Sequence, residues 1–134
     1  MVYGLERVAC VEDDPDIREL IRISLSEIGR LKLAVYASGP EAIEQSPRFD
    51  PELFLIDVMM PGMTGQETLV ALRGLPAFEE TPMVFMTAKV QVQEVEDYYR
   101  LGAASVISKP FDPIILADQV RAIWSQAKRP SRGA

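Results

Sequence analysis

The stretch LFLIDVMMPGMTG, residues 53–65, runs through an apolar segment, stops on Asp57, and then breaks at Pro61, Gly62 and Gly65. A short apolar run closed by turn residues is the pattern of a strand buried on both faces. A carboxylate at its end is ordinarily a turn residue. Whether Asp57 is more than that depends on what the rest of the chain brings to the same place.

Other apolar runs of strand length lie at 5–11, 31–37, 82–88 and 104–110, and the run around Asp57 occupies 52–58. Between and after them, segments 15–29, 39–46, 65–75, 92–103 and 113–129 carry helical spacing. In the first, Ile17, Leu20, Ile21, Ser24, Leu25 and Ile28 form an i, i+3, i+4 stripe, Pro15 suits a first helical position, and Gly29 is placed as a stop. Regular alternation of strand and helix requires right-handed crossovers. It predicts a doubly wound α/β fold, a five-stranded parallel sheet with helices on both faces.

The 134 residues, 48% hydrophobic, fit one domain with one sheet-centred core. A formal charge of -6 argues against a surface built for phosphate backbones and so against direct nucleic-acid binding. No apolar run reaches membrane-spanning length and the N-terminus lacks a signal pattern, so the chain reads as soluble and cytoplasmic. The single Cys10 lies in an apolar run and reads as a small buried residue. Histidine is absent, which removes Ser/His and Cys/His catalysis and imidazole-bound zinc. The domain is expected over 5–127, with 128–134 a flexible tail or linker stub; the Met1 start favours an N-terminal or stand-alone domain.

In an open parallel sheet, ligands bind outside the carboxyl ends of the strands, where the strand order reverses. The first strand ends in Glu12, Asp13 and Asp14, the third in Asp57, the fourth in Thr87, and the fifth in Lys109. Each has a plain structural explanation: Asp14 as a helix cap, Asp57 in an Asx-turn, Thr87 as a strand-end hydroxyl, Lys109 as a solvated charge. Together they crowd like charges at one edge, which demands a compensating cation. Carboxylates without imidazole or thiolate suit Mg²⁺, which shares its shell with phosphoryl oxygens. Asp57 is then the oxygen nucleophile, forming an acyl phosphate. Asp13 and Asp57 would hold the metal directly, with a backbone carbonyl near Met59 and with Glu12 acting alongside or through water. Thr87 and Lys109 would contact the phosphoryl group.

The segments VACVEDDPDIREL (8–20), LFLIDVMMPGMTGQE (53–67), VFMTAK (84–89) and LGAASVISKPF (101–111) resemble the receiver domains of two-component response regulators. The resemblance covers about residues 7–127. It implies strand order 2-1-3-4-5 and a chemotaxis-type single-domain fold. It also implies Mg²⁺-dependent phosphoryl transfer to Asp57 from a histidine kinase or histidine phosphotransfer protein, and a cis Lys109-Pro110 bond. The output surface would be the fourth helix, fifth strand and fifth helix, read by a downstream protein. A domain of this kind catalyses only its own phosphorylation and dephosphorylation.

The sequence departs from the family's pattern at informative positions. Many receivers carry Tyr or Phe three residues before the lysine, where this chain has Val106; switching is then expected through Thr87 and its loop, reported by Tyr98 or Tyr99. The Asp pair of winged-helix-type receiver dimers is replaced by Ala104 and Ser105, which speaks against that dimer. Tyr98, Tyr99, Val106 and Trp124 are candidates for an apolar partner patch. Met59 and Lys89 flank the expected path of attacking water, and an apolar Met59 predicts slow hydrolysis. Two other functions compete: a degenerate receiver working unphosphorylated, and a Mg²⁺-dependent aspartyl-phosphate phosphatase, whose general acid would have to stand where Met59 does.

Overall fold

The computed structural model describes residues 4–128. Strands β1 (Arg7–Val11), β2 (Lys32–Tyr36), β3 (Leu53–Asp57), β4 (Met83–Thr87) and β5 (Ser105–Ser108) form one parallel sheet in the order β2-β1-β3-β4-β5. Helices α1 (Pro15–Ile21), α2 (Gly39–Phe49), α3 (Gly65–Arg73), α4 (Val92–Leu101) and α5 (Leu116–Ala127) cover both faces. A 3₁₀ turn, Pro76–Phe78, follows α3.

Side chains alternate along the central strands and so feed two cores. Phe54 and Ile56 join Val11, Leu69, Leu72, Phe78, Phe85 and Tyr98 on one face. Leu53 and Leu55 join Cys10, Ile21, Leu25, Val84, Met86, Leu116 and Val120 on the other. Every residue of β3 and β4 is buried, as their uninterrupted apolar character requires.

Three helices differ from the sequence expectation. The first changes winding: α1 runs straight into a π-helix, Arg22–Ile28, and the Gly29 amide donates to the Ser24 carbonyl five residues back. The wider turn rotates the stripe, leaving Ile21, Ser24 and Leu25 buried while Leu20 and Ile28 face solvent. It aims Ser24 at the turn before α5, where its hydroxyl donates to the Pro113 carbonyl at 2.5 Å. Gly29 is not the left-handed residue; Arg30 is, at φ 60°. Gly29 is small because a Cβ there would stand 2.5 Å from the Ala117 Cβ on α5.

The second difference is in α2, which continues through Pro47 to Phe49 instead of stopping at Ser46, and ends on left-handed Asp50. Phe49 packs against the core, and that burial offsets the amide bond proline cannot make. The third is α5, which starts at Leu116 rather than 113. The Asp112 carboxylate accepts from the Ile114 amide and holds residues 113–115 as a turn. Of the expected tail, 129–134 lies outside the described residues. Among the described residues no helix is long and apolar enough to cross a membrane.

Candidate functional site

Register brings the strand ends together. Val11 stands beside Ile56, so Glu12 follows next to Asp57 at the gap where the sheet order reverses between β1 and β3. On the other side, Val58 donates to the Met86 carbonyl and Lys109 to the Thr87 carbonyl, which draws β5 to the same edge. The Lys109-Pro110 peptide is cis.

The Lys109 ammonium bridges the two carboxylates, 2.8 Å from Glu12 Oε1 and 2.9 Å from Asp57 Oδ1. Its side chain is only 17% exposed, and those of Glu12 and Asp57 are 1% and 5%. The reading of Lys109 as a solvated surface charge is therefore wrong. Glu12, Asp13 and Asp57 each offer an oxygen within 4.8 Å of the others. They open onto a cleft of about 270 Å³ that Ile17, Met59 and Ala88 also line. A larger cleft of about 800 Å³ lies away from these groups, between β2 and α2.

Electrostatics follow from burial. Desolvation raises the Glu12 carboxyl to about 6, reinforced by the Asp57 charge and opposed by hydrogen bonds from Lys109 and the Asp14 amide. Desolvation pulls the Lys109 ammonium down, but its bonds to Glu12 and Asp57 outweigh that and leave it raised. Under the site, burial pushes the Cys10 thiol far up, helped by the charges of Glu12 and Asp57.

The remaining groups are held by local bonds. Glu12 Oε2 accepts from the Asp14 amide at 3.1 Å, and Asp14 caps α1 through Asp16 and Ile17. Asp57 Oδ1 also accepts from the Met59 amide at 3.4 Å, while the Met59 side chain is exposed. Among the described residues no hydrogen bond ends on Asp57 Oδ2. Thr87 lies on the same edge, but its hydroxyl accepts from the Lys89 amide at 3.0 Å and makes no hydrogen bond to Asp57 or Lys109.

Two contributors escaped the sequence reading. Gly65 donates to the Val58 carbonyl, and a Cβ there would lie 2.2 Å from the Asp57 carbonyl oxygen. Its place at a helix start was legible; the close approach of β3 was not. Arg18 Nη1 donates to the Glu12 carbonyl at 2.9 Å and to the Asp13 carbonyl at 2.7 Å. On the sequence Arg18 is one more helix-surface charge.

The sequence profile of the response regulator receiver domain matches residues 8–121. The chain belongs to the response regulator receiver family. It is 32% identical over 121 residues to response regulator Rre1 of Synechocystis, covering 90% of this chain and 52% of Rre1. It is 35% identical over 117 residues to the DNA-binding response regulator MtrA of Mycolicibacterium smegmatis, covering 87% and 50%. The receiver thus spans about half the length of these relatives. Among solved structures, chemotaxis protein CheY4 of Vibrio cholerae superposes with a TM-score of 0.83 at 26% identity over 90% of this chain and 99% of that one. The receiver domain of a Syntrophus aciditrophicus histidine kinase gives 0.78 at 28% identity over 98% of each chain.

Proposed function

We propose that this receiver is a phosphoacceptor switch in which Asp57 takes a phosphoryl group from a histidine kinase or histidine phosphotransfer protein. The observation that carries the reading is the buried Asp57 carboxylate, pinned through Oδ1 by Lys109 and Met59 with Oδ2 left to the acidic cleft. Oδ2 attacks phosphorus in line, the bond from phosphorus to the donor's imidazole nitrogen breaks, and the imidazole leaves with the electron pair. Lys109, already beside Asp57, pairs with a phosphoryl oxygen as the acyl phosphate forms.

The donor set is all oxygen and compact, which fits Mg²⁺. Asp13, Asp57 and the Met59 carbonyl would hold it, with Glu12 acting through water because both of its oxygens are engaged. When bound, the metal supplies neutralising charge to the phosphoryl oxygens. Apolar Met59 lines the cleft, and slow hydrolysis of the acyl phosphate is the outcome expected from it.

Switching runs through the Lys89 backbone. Its N–H is held by Thr87 and its carbonyl accepts from the Tyr98 hydroxyl at 3.4 Å. Tyr98 is 5% exposed and packs edge-on against Phe85 at 5.2 Å, with Val106 against the same cluster. When Thr87 turns to the phosphoryl group, the Lys89 N–H is freed, its residue moves with the Tyr98 hydroxyl on its carbonyl, and α4 shifts. On α4, Val92 and Tyr99 are exposed and available to a partner; Tyr98 is core, and Trp124 packs into the opposite core. Amide shifts unchanged across 88–106 on phosphorylation would overturn this route.

The deciding experiment is intact mass after incubation with Mg²⁺ and acetyl phosphate. A gain of one phosphoryl group, dependent on Mg²⁺ and absent in Asp57→Asn, supports the switch. No gain, with a cognate kinase also failing, supports a receiver that works unphosphorylated.

A further inference from the structure

The arrangement at the end of β1 assigns a role to a residue outside the acidic cluster. Consecutive carbonyls of an extended strand point to opposite sides, so a single nitrogen reaches both only where the chain has left the strand. Arg18 Nη1 reaches both, at 2.9 Å to Glu12 and 2.7 Å to Asp13. The Glu12 amide is still in register, donating to the Tyr36 carbonyl at 3.0 Å, so the turn begins within Glu12 itself. Glu12 and Asp13 are the residues whose side chains enter the cleft beside Asp57. Arg18 is half-buried, and none of the ion pairs among the described residues includes it. Both side-chain hydrogen bonds it makes among the described residues go to this turn.

We propose that Arg18 is a positioning residue for the Mg²⁺ site, fixing both peptide planes so that the Glu12 and Asp13 carboxylates stand where a cation on Asp57 meets them. The proposal rests on the phosphoacceptor reading above. It makes a prediction of unusual sign. Arg18 is a cation near an anionic site, so by charge alone its removal strengthens Mg²⁺ binding. By positioning, its removal weakens binding, as loss of outer-shell support does, by about tenfold.

The test is calorimetric titration of MgCl₂ into the full chain and into R18M, which keeps the apolar stem without donors, with thermal melts of both in EDTA. Binding weaker by roughly threefold or more, with about tenfold expected, and with little change in the EDTA melt, supports the assignment. Binding unchanged or tighter overturns it, and so does weakening that only tracks loss of folded protein. If R18M fails to fold, R18Q, which keeps a shorter amide donor, carries the same comparison. A native chain that binds no Mg²⁺ overturns the metal-site reading itself, a result distinct from a variant that matches a binding-competent native chain.

Discussion

Glu12 is the residue at which burial and charge conflict most directly. Its carboxyl, ordinarily near 4.5, is raised to about 6 by desolvation, so between these values the folded chain holds a proton that the unfolded chain has lost. Such a group lowers stability as pH rises through that window. Without Mg²⁺, the native chain is expected to lose on the order of 2 kcal/mol relative to E12Q between pH 4 and pH 7. Urea midpoints of both proteins at each pH check this; parallel curves would contradict it. Asp13 gives the complementary case. It adds charge to Glu12 and Asp57 without a lysine of its own, so D13N is expected to gain on the order of 1 kcal/mol in EDTA and to lose that advantage in saturating Mg²⁺. The carboxylates and Lys109 were legible because a parallel sheet gathers strand ends. Arg18 and Gly65 were not, because their partners are backbone atoms, which no side-chain pattern records.

At the scale of elements, the β3–α3 connection places Asp57, and its tightness is a backbone matter. Gly65→Ala would push a methyl group into the Asp57 and Val58 backbone. It is expected to destabilise by about 2–3 kcal/mol and to slow phosphorylation by acetyl phosphate, whereas Gly62→Ala, with open space around it but φ 74°, affects stability alone. Denaturant curves and mass-resolved phosphorylation rates separate the two. β3 and β4 were the most legible strands because complete burial leaves uninterrupted apolar runs. The α2 extension through Pro47 and the π winding after α1 were not, since tertiary burial of Phe49 and the contact of Gly29 with Ala117 override local signals. The same contact predicts that Gly29→Ala lowers the melting temperature by several degrees, about 1–2 kcal/mol, without changing Mg²⁺ affinity.

At the scale of the molecule, two cores share one sheet, and the site lies where the sheet's strands end. Tyr98 ties one core to the loop after β4. Tyr98→Phe removes that hydroxyl and keeps the ring, so stability is expected to change by less than about 1 kcal/mol while the phosphorylation-induced shifts across α4 shrink. Shifts equal to native would leave the Lys89 route without support. The other core contains Cys10, fully enclosed in β1 and flanked on both sides by paired strands. A maleimide reagent reaches that sulfur only when the sheet parts, so labelling kinetics clock rare openings of the whole molecule through a native residue. Any ligand that grips the strand ends slows that clock in proportion to its occupancy, and a chain with a single thiol becomes its own gauge of how tightly the switch is held shut.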